Sequence, residues 1–270
     1  MRAAYYIKKV ELSGDSRIAG LLSALAAGGV EVYNIASGLV PDTDLLLSFG
    51  GDGTFLSAAR LVCEAGVPVL GINLGRLGFL SDANLDEVAP AILDGNFHVE
   101  KRSMLRIAIE GKQPEDFFPY AINETAVRRA GSATLGVEVS LGDSKLPTYW
   151  GDGLLVSTSS GSTAYSLSVG GPICTPEVDA VIVAPIAPHN LNVRPLVVPS
   201  DSDFVVSASD RKNPFVVLSV DNRDYLVPAG AKISVSKAPF ALGRVVIGKS
   251  NFIDALRSKL FWGEDVRNTH

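Results

Sequence analysis

LLLSFGGDGT, residues 45–54, is the stretch that decides the fold. Leu45 to Phe49 form a short apolar run, as expected for a parallel strand that is buried on both faces. The run leads straight into Gly50-Gly51-Asp52-Gly53-Thr54, after which a helical pattern follows. A buried strand that ends in glycines and opens a helix presents backbone N–H groups at the carboxyl edge of a sheet. The stretch therefore predicts an anion-binding turn in a parallel α/β layer.

The first hundred residues repeat this alternation of strand and helix on either side of the turn. Strand patterns lie at residues 3–7, 30–35, 45–49 and 67–72. The first helical pattern follows a cap at Asp15 or Ser16 and ends at Gly28-Gly29, and two more lie at 54–64 and 85–94. Such an alternation is typical of a parallel sheet covered by helices. We therefore expect residues 1–98 to form an α/β domain.

Beyond residue 100 the pattern changes to short β-branched or alternating runs separated by Gly, Pro, Asp and Asn. The runs lie at 104–110, 119–127, 135–141, 153–157, 179–184, 204–208, 214–220 and 232–236. They predict a mainly antiparallel β-sandwich over residues 99–240. In the tail, one helical stripe holds Phe252, Ile253, Leu256 and Leu260. This amphipathic pattern predicts that the tail packs on a domain.

Composition limits the classes of protein to consider. The chain has 270 residues, 47% of them hydrophobic, and a formal net charge of −5. Cys63 and Cys174 stand far apart in apolar contexts, which favours free thiols and a reducing compartment. Lys8 and Lys9 stand where a signal peptide needs its apolar run, and no stretch approaches the roughly 20 apolar residues of a membrane span. We expect a cytoplasmic protein without a membrane or nucleic-acid partner.

Asp52 is the unusual residue of the glycine turn. A carboxylate in a phosphate cradle repels phosphate unless it holds a metal or accepts a proton from an attacking hydroxyl. The alternative is a tight turn in which Asp52 caps the following helix. Both interpretations are compatible with the turn alone.

Two polar residues, Asn123 and Glu124, interrupt the apolar stretch from Tyr120 to Val127. Consecutive strand residues face opposite ways, so this pair indicates a strand end or a bulge at which one or both side chains reach a ligand. A sugar with adjacent hydroxyls is a suitable ligand. An edge strand with one polar face is the alternative.

GDGLLVSTSSGSTAYSLSVGG, residues 151–171, is the most informative segment after the turn. A strand leads into small hydroxyl residues and glycines, which offer many donors and little bulk, and Tyr165 can stack on a purine. A flexible Ser/Gly linker is disfavoured because apolar residues such as Leu154, Val156 and Leu167 are interspersed. The segment therefore predicts a ligand-binding loop.

These three motifs, in this order and spacing, resemble the NAD kinase family. Further similar segments are Asn73 to Leu80, Arg102 to Leu105, Pro188 to Leu191, Arg194 to Leu196 and Phe252 to Trp262. The resemblance covers most of the chain. GGDGT by itself is shared with lipid kinases and some phosphofructokinases, whereas the combination is specific.

The resemblance implies an N-terminal α/β domain, a C-terminal β-sandwich and a last segment, residues 241–270, that returns to the first domain. It also implies transfer of the terminal phosphoryl group of ATP, or of another polyphosphate, to the 2′-hydroxyl of the adenosine ribose of NAD. The product is NADP. A divalent metal, Mg²⁺, and assembly into homodimers or homotetramers belong to the same expectation.

The resemblance also implies roles for individual residues. Asp52 would be the base, with Gly53 beside it at the phosphates. The dinucleotide would be held by Asn123 and Glu124 at the ribose, by Thr163, Ala164 and Tyr165 at the adenine, by Ser166, Leu167 and Ser168 beyond it, by Asp152 toward the nicotinamide, and by Ala187 and Asp221.

The chain departs from the family pattern at two positions. Trp150 stands where Arg or Lys is common, so a cationic contact is replaced by a ring that would either stack on the ligand or wall the pocket. Ser159 stands where Pro is common. Two other functions remain alternatives at this point: a lipid kinase, against which the acidic composition argues, and a dinucleotide sensor without turnover.

Overall fold

A computed structural model describes residues 1–75, 78–210, 212–248 and 252–263. The chain divides into two compact units. Unit 1 comprises Met1–Lys101 and the chain from Leu242 onward, and unit 2 comprises Arg102–Ala241. Residues 249–251 and 264–270 of the predicted third segment lie outside the described residues.

The strands of the described residues are, in chain order, β1 Arg2–Ile7, β2 Glu31–Asn34, β3 Leu45–Phe49, β4 Val69–Asn73, β5 Ser81–Asn84, β6 Phe97–Arg102, β7 Leu105–Ile109, β8 Tyr120–Ala121, β9 Glu124–Arg129, β10 Leu135–Leu141, β11 Ser144–Lys145, β12 Tyr149–Gly151, β13 Gly153–Thr158, β14 Ala180–Ile186, β15 Leu196–Pro199, β16 Phe204–Ser209, β17 Phe215–Val220, β18 Arg223–Pro228, β19 Lys232–Lys237 and β20 Leu242–Ile247. The α-helices are α1 Ser16–Ala27, α2 Asp52–Val62, α3 Leu85–Leu93, α4 Tyr165–Ser168 and α5 Phe252–Leu260.

Unit 1 is built on one sheet with the strand order β2-β1-β3-β4-β20-β6, and β5 pairs with β4. The pairs of β1 with β2 and β3, of β3 with β4, and of β4 with β5 and β20 are parallel. All five residues of β3 are buried at the centre of this sheet. The predicted parallel α/β layer is confirmed.

Two helices of unit 1 begin at identifiable cap residues. Asp15 caps α1, and its side chain accepts the backbone N–H of Arg17. The helix after the turn begins two residues earlier than predicted, at Asp52, because Gly51 occupies the cap position and its carbonyl accepts the N–H of Thr54 and of Phe55.

Unit 2 contains two antiparallel sheets. One has the order β11-β10-β16-β19-β7-β8 with β12 paired to β10, and the other has the order β15-β14-β13-β9-β17-β18. A single apolar core joins their inner faces, with residues such as Ile107, Val137 and Val206 from the first sheet and Val156, Val183 and Leu218 from the second. The predicted antiparallel sandwich is confirmed.

The predicted strand at 119–127 is instead two strands in two different sheets. β8 pairs with β7, whereas β9 pairs with β13 and β17. Ile122 and Asn123 form the corner between them. A chain that passes from one sheet to the other must interrupt its strand hydrogen bonds at such a corner. The continuous apolar pattern at 119–127 does not show this interruption, so one strand was predicted where there are two.

The C-terminal segment belongs to unit 1, as the resemblance implied. β20 lies beside β4 and pairs with it at Arg244 and Val69. On α5, Leu256 is buried at 2% exposure, whereas Ile253 and Leu260 are exposed. Of the four residues in the predicted apolar stripe, Leu256 is thus buried and Phe252 is half-buried. Within the described ranges, every helix is too short or too polar to cross a lipid bilayer.

Candidate active site

The glycine turn of unit 1 connects β3 to α2. Gly50 has a φ of 145°, and a Cβ atom there would lie 2.6 Å from the Oγ1 atom of Thr54. Only glycine meets both conditions. The turn therefore brings the N-terminus of α2, with its unpaired N–H groups, to the carboxyl edge of the parallel sheet.

Asp52 does not cap its own helix. Its carboxylate accepts three backbone N–H groups from a loop further along the chain: Oδ2 accepts that of Phe79 at 2.8 Å, and Oδ1 accepts those of Leu80 at 3.0 Å and Ser81 at 2.9 Å. The helix-cap alternative is therefore wrong for this side chain. Hydrogen bonds to an ionised carboxylate are among the stronger ones in proteins, so the orientation of Asp52 is fixed.

A basic side chain reaches the first turns of α2. The carbonyl of Gly53 accepts the hydroxyl of Ser57 at 3.0 Å, and that hydroxyl in turn lies 3.0 Å from the exposed ammonium of Lys8. Gly53 has open space where a side chain would stand. The start of the helix thus combines free amides, a nearby cation and room for an anion.

In unit 2, Asp221 holds the corner that contains the Asn123-Glu124 pair. Its Oδ2 atom accepts the N–H of Ile122 at 2.7 Å, and its Oδ1 atom accepts those of Asn123 at 2.9 Å and Glu124 at 3.2 Å. Asp221 itself has a φ of 41°, an uncommon value for a residue with a side chain. Desolvation of the carboxyl raises its pKa to about 6, although these three amides pull it down.

Glu124 is a buried acid, with 7% of its surface exposed. Burial is the largest cause that raises the pKa of its carboxyl, to about 8, and the neighbouring Asp221 adds to it. The backbone N–H of Tyr165 acts in the opposite direction. Among the described residues, the Oε2 atom of Glu124 has no hydrogen-bond partner. At neutral pH this side chain is therefore a carboxylic acid with an unused polar atom.

The hydroxyl-rich loop is packed, and several of its predicted donors are already in use. Thr158 donates to the carbonyl of Ile122 at 2.6 Å, and Ser157 donates to that of Asn123 at 3.1 Å. Ser162 exchanges two hydrogen bonds with the backbone of Cys174. These three hydroxyls bond the loop to its neighbours and are not available to a ligand, and the packed loop is not a flexible linker. The buried hydroxyl of Ser166 has no hydrogen-bond partner among the described residues.

Two adjoining cavities of unit 2 share Tyr165 and Arg128. The first, of about 310 Å³, is lined by Glu124, Ala126, Arg128, Tyr165, Ser219, Asp221, Asn222 and Asp224. The second, of about 460 Å³, is lined by Arg128, Arg129, Gly131, Ser132, Asp152, Tyr165 and Ile186. The structure thus brings Glu124, Asp152, Tyr165 and Asp221 of the predicted set together around one aromatic ring.

Ion pairs that the sequence analysis missed line these cavities. Arg129 binds both carboxylate oxygens of Asp152, at 2.8 and 3.1 Å. Arg128 pairs with Asp224 at 2.8 Å and also donates to Ser219 at 2.9 Å. Strand alternation could have found Arg128, because residues 124, 126 and 128 of β9 share one face.

The other predicted residues lie next to the cavities or apart from them. Thr163 and Ala164 are half-buried in the turn before α4. Ser166 is buried, Leu167 is half-buried and Ser168 is exposed. Ala187 is exposed and has a φ of 43°.

Trp150 lines neither cavity. Its ring lies against Gly136, where a Cβ atom would come within 2.9 Å of Cζ3, and the residue is 40% exposed. The ring thus covers the neighbouring strand of the sheet. At the two cavities, Trp150 is therefore neither a stacking surface for a ligand nor part of the pocket wall.

Mg²⁺ usually keeps several waters and binds one or two carboxylates beside substrate phosphates. Within the described ranges, no three His, Cys, Asp or Glu side chains converge on one point. Among the described residues, the Oδ2 atom of Asp52 accepts one backbone N–H, that of Phe79, and retains capacity for a further contact.

Comparisons with known proteins agree with this geometry. Residues 38–98 match the ATP-NAD kinase N-terminal domain family, and residues 122–246 match the ATP-NAD kinase C-terminal domain family. The NAD kinase of Flavobacterium psychrophilum is 41% identical over 230 residues, which cover 83% of this chain and 78% of that protein. The NAD kinase of Bacteroides fragilis is 39% identical over 230 residues, with 84% and 79% covered.

Two solved structures are similar over nearly their whole length. Yeast NADH kinase complexed with NADH has a TM-score of 0.87 at 25% identity, with 100% of this chain and 90% of that chain covered. An NAD kinase from Archaeoglobus fulgidus in complex with ATP has a TM-score of 0.76 at 25% identity, with 97% and 99% covered.

The fold and the site together define a phosphotransferase that acts on a nucleotide. The relatives at about 40% identity decide between this class and the lipid-kinase and sensor alternatives. The chain belongs to the NAD kinase family, and its activity is the phosphorylation of NAD.

Proposed function

We propose that the chain transfers the terminal phosphoryl group of ATP to the 2′-hydroxyl of the adenosine ribose of NAD, with Asp52 as the proton acceptor. The ribose oxygen forms the new P–O bond, ADP leaves, and the hydroxyl proton passes to the carboxylate. A ribose hydroxyl is a poor acid, so the reaction needs a positioned carboxylate at the attacking oxygen. Mg²⁺ supplies charge neutralisation of the polyphosphate when it enters as the metal–ATP complex.

The observation that carries this proposal is the fixation of Asp52 by three backbone amides. A carboxylate held in this way is pre-oriented, and its Oδ2 atom accepts only the N–H of Phe79 among the described residues. Pre-orientation matters because small displacements of a reacting group cost large factors in rate. The helix N-terminus beside it favours the anionic donor.

Residues of unit 2 hold the dinucleotide in this proposal. Tyr165 stacks on the adenine, and Asn123 with Glu124 binds the ribose. Tyr165 lines both cavities, and Glu124 contributes a neutral acid with an unpartnered oxygen, which suits hydrogen bonding to hydroxyls. Asp152 contacts the nicotinamide end in this proposal, and its ion pair with Arg129 supports the role by fixing the carboxylate. Asp221 supports the ribose contact indirectly, because its carboxylate fixes the backbone N–H groups of Ile122, Asn123 and Glu124.

The remaining predicted residues have supporting roles in this proposal. Thr163 and Ala164 frame the adenine, Ser166, Leu167 and Ser168 continue the pocket, Ala187 lines it and Gly53 contacts the phosphates. The family resemblance further supports a cytoplasmic homodimer or homotetramer.

The test of Asp52 is a coupled assay for NADP formation by the Asp52→Asn variant. We expect kcat to fall about 100-fold or more, the range of general-base catalysis. Asp86→Asn is the matched control, because Asp86 also lies in the first turn of a helix and is exposed. Near-native turnover of Asp52→Asn would remove Asp52 from this role.

An asparagine at position 52 has one carbonyl oxygen, so its NH2 group must face at least one of the three N–H donors. Denaturant unfolding of Asp52→Asn measures the stability lost by that unfavourable contact separately from the loss of turnover.

The coupled assay for NADP formation, run with ATP, other triphosphates and inorganic polyphosphate against NAD and NADH, decides the donor and the acceptor.

A further inference from the structure

The loop that holds Asp52 is itself held by the C-terminal segment of the chain. Three successive amides of this loop, those of Phe79, Leu80 and Ser81, bind the Asp52 carboxylate. Two cations from residues 242–263 contact the same loop, one from β20 and one from α5. They approach it at two neighbouring residues.

Arg244 of β20 contacts the loop at Leu80. It is 1% exposed, and its Nε atom donates to the carbonyl of Leu80 at 3.3 Å. Its two terminal nitrogens pair with Asp82 at 2.5 Å and with Glu100 at 3.1 Å. The planar guanidinium can make these directed contacts at the same time, which a lysine cannot do.

Lys259 of α5 contacts the loop at Phe79. Its Nζ atom lies 3.8 Å from the centroid of the Phe79 ring, within the range of a cation–π interaction. The Phe252 ring, from the same helix, lies 6.0 Å from that of Phe79. The Nζ atom is buried and has no hydrogen-bond partner among the described residues.

Burial of the Lys259 ammonium works against the stability of the fold. Desolvation lowers the pKa of its ammonium to about 8, from a usual 10.5. The carboxylates of Asp52 and Asp82 act to raise this pKa, and the Arg244 guanidinium acts to lower it. A lysine with a folded-state pKa below its unfolded value makes the folded state less stable when it is charged, so this ammonium costs stability below about pH 8. A charge kept at such a cost points to a functional role.

We propose that Arg244 and Lys259 are positioning residues for Asp52. Arg244 fixes the backbone carbonyl of Leu80, and Lys259 fixes the ring of Phe79. The N–H groups of the same loop hold the Asp52 carboxylate. The proposal rests on the proposed role of Asp52. It assigns to the C-terminal segment a part in catalysis that the glycine turn, the Asn123-Glu124 pair and the hydroxyl-rich loop do not indicate.

The decisive experiment compares three variants of α5 in the full chain. Lys259→Met keeps an unbranched stem without the charge, Lys259→Arg keeps a cation over the ring, and Arg257→Met removes an exposed cation from the same helix. We expect Lys259→Met to lower kcat about 10-fold with an unchanged KM for NAD, since a misplacement of about 1 Å can cost 100-fold. Lys259→Arg should restore most of kcat, and Arg257→Met should leave it unchanged.

Unfolding and pH profiles separate positioning from plain structural support. At pH 7 the unfolding midpoint of Lys259→Met should equal or exceed that of the unsubstituted chain, because the charge is costly there. The kcat of the unsubstituted chain should fall as pH rises through about 8, where Lys259 loses its proton. That fall should be absent from Lys259→Arg, because arginine stays charged.

A Lys259→Met variant with unchanged kcat, or one whose kcat loss is matched by a lower unfolding midpoint, overturns the proposal for Lys259. Arg244→Lys tests the other contact and should lower kcat with KM for NAD unchanged. If Arg244→Lys fails to fold, the α5 variants decide alone. Full activity of Asp52→Asn would remove the proposed function, whereas an inactive Asp52→Asn with a fully active Lys259→Met would remove only this inference.

Discussion

The Oδ1 atom of Asp52 occupies the space that a side chain at position 78 would need. A Cβ atom built on Gly78 would lie 1.9 Å from that oxygen and 2.9 Å from the carbonyl oxygen of Ser81. Real Cβ contacts are never this short, so either the carboxylate or the loop would have to move. The placement of Asp52 therefore depends on a residue without a side chain 26 positions later.

The Gly78→Ala variant should lower kcat by about 10-fold or more, because the carboxylate is displaced from the position fixed by the loop amides. KM for NAD should change little. Steady-state assays of NADP formation measure both constants. Gly75→Ala is the matched control, since a Cβ atom at Gly75 meets nothing within 4 Å. Equal kcat values for the two variants would show that the position of the Asp52 carboxylate does not limit turnover.

The pH dependence of stability should report on Glu124. Its pKa is raised from 4.5 to about 8 in the folded protein, so the folded state retains a proton that the unfolded chain releases. The free energy of unfolding should therefore fall as pH rises from about 5 through 8. Asp221, with its pKa raised to about 6, adds to the fall at the acidic end.

The Glu124→Gln variant should flatten this dependence above pH 6, because glutamine imitates the protonated acid at every pH. Denaturant unfolding at pH 5.5, 7 and 8.5 is the measurement. Glu138→Gln, at an exposed position of β10, is the control and should keep the slope of the unsubstituted chain. An unchanged slope in Glu124→Gln would mean that Glu124 is ionised in the folded state.

Tyr165→Ala should raise KM for NAD roughly 5- to 150-fold. This factor corresponds to the loss of one aromatic–base stack, which contributes about 1 to 3 kcal/mol to binding. The reason is that Tyr165 lines both cavities of unit 2. Tyr165→Phe keeps the ring and should stay close to the unsubstituted KM. Since the ring also packs against the cluster containing Ile182 and Ala184, unfolding of both variants must be compared. A fall in kcat alone would contradict the stacking role.

The elements that local pattern specifies were predicted well. β3, the glycine turn and α2 follow one another within 18 residues. The strand has an apolar run, the turn has its glycines and the helix has a helical pattern, so the parallel layer could be predicted. Most strands of unit 2 were found from their β-branched runs. Six strands of the two units were missed: β5, β6, β11, β12, β15 and β18. For β6 and β18 the reason is that FHVEKR and RDYLVP carry charged residues and little apolar alternation.

The candidate site was predicted in part. Glu124, Asp152, Tyr165 and Asp221 do lie at the two cavities, whereas Arg128, Arg129, Ser219, Asn222 and Asp224 were not foreseen. Composition does not show that the hydroxyls of Ser157, Thr158 and Ser162 bond to the backbone, and only the structure revealed it. Asp221 was expected at the pocket by resemblance alone, and its three hydrogen bonds to the corner amides became visible only in the structure.

The two kinds of layer and the residue at the turn follow from local sequence, because apolar periodicity and glycine placement act over a few neighbouring positions. The surroundings of Asp52 depend on the three-dimensional fold. Arg244 and Lys259 follow it by about two hundred residues, and they reach the Phe79–Leu80 loop because β20 pairs with β4 in the middle of the first sheet. Contacts of that kind depend on strand order, which local sequence patterns do not contain.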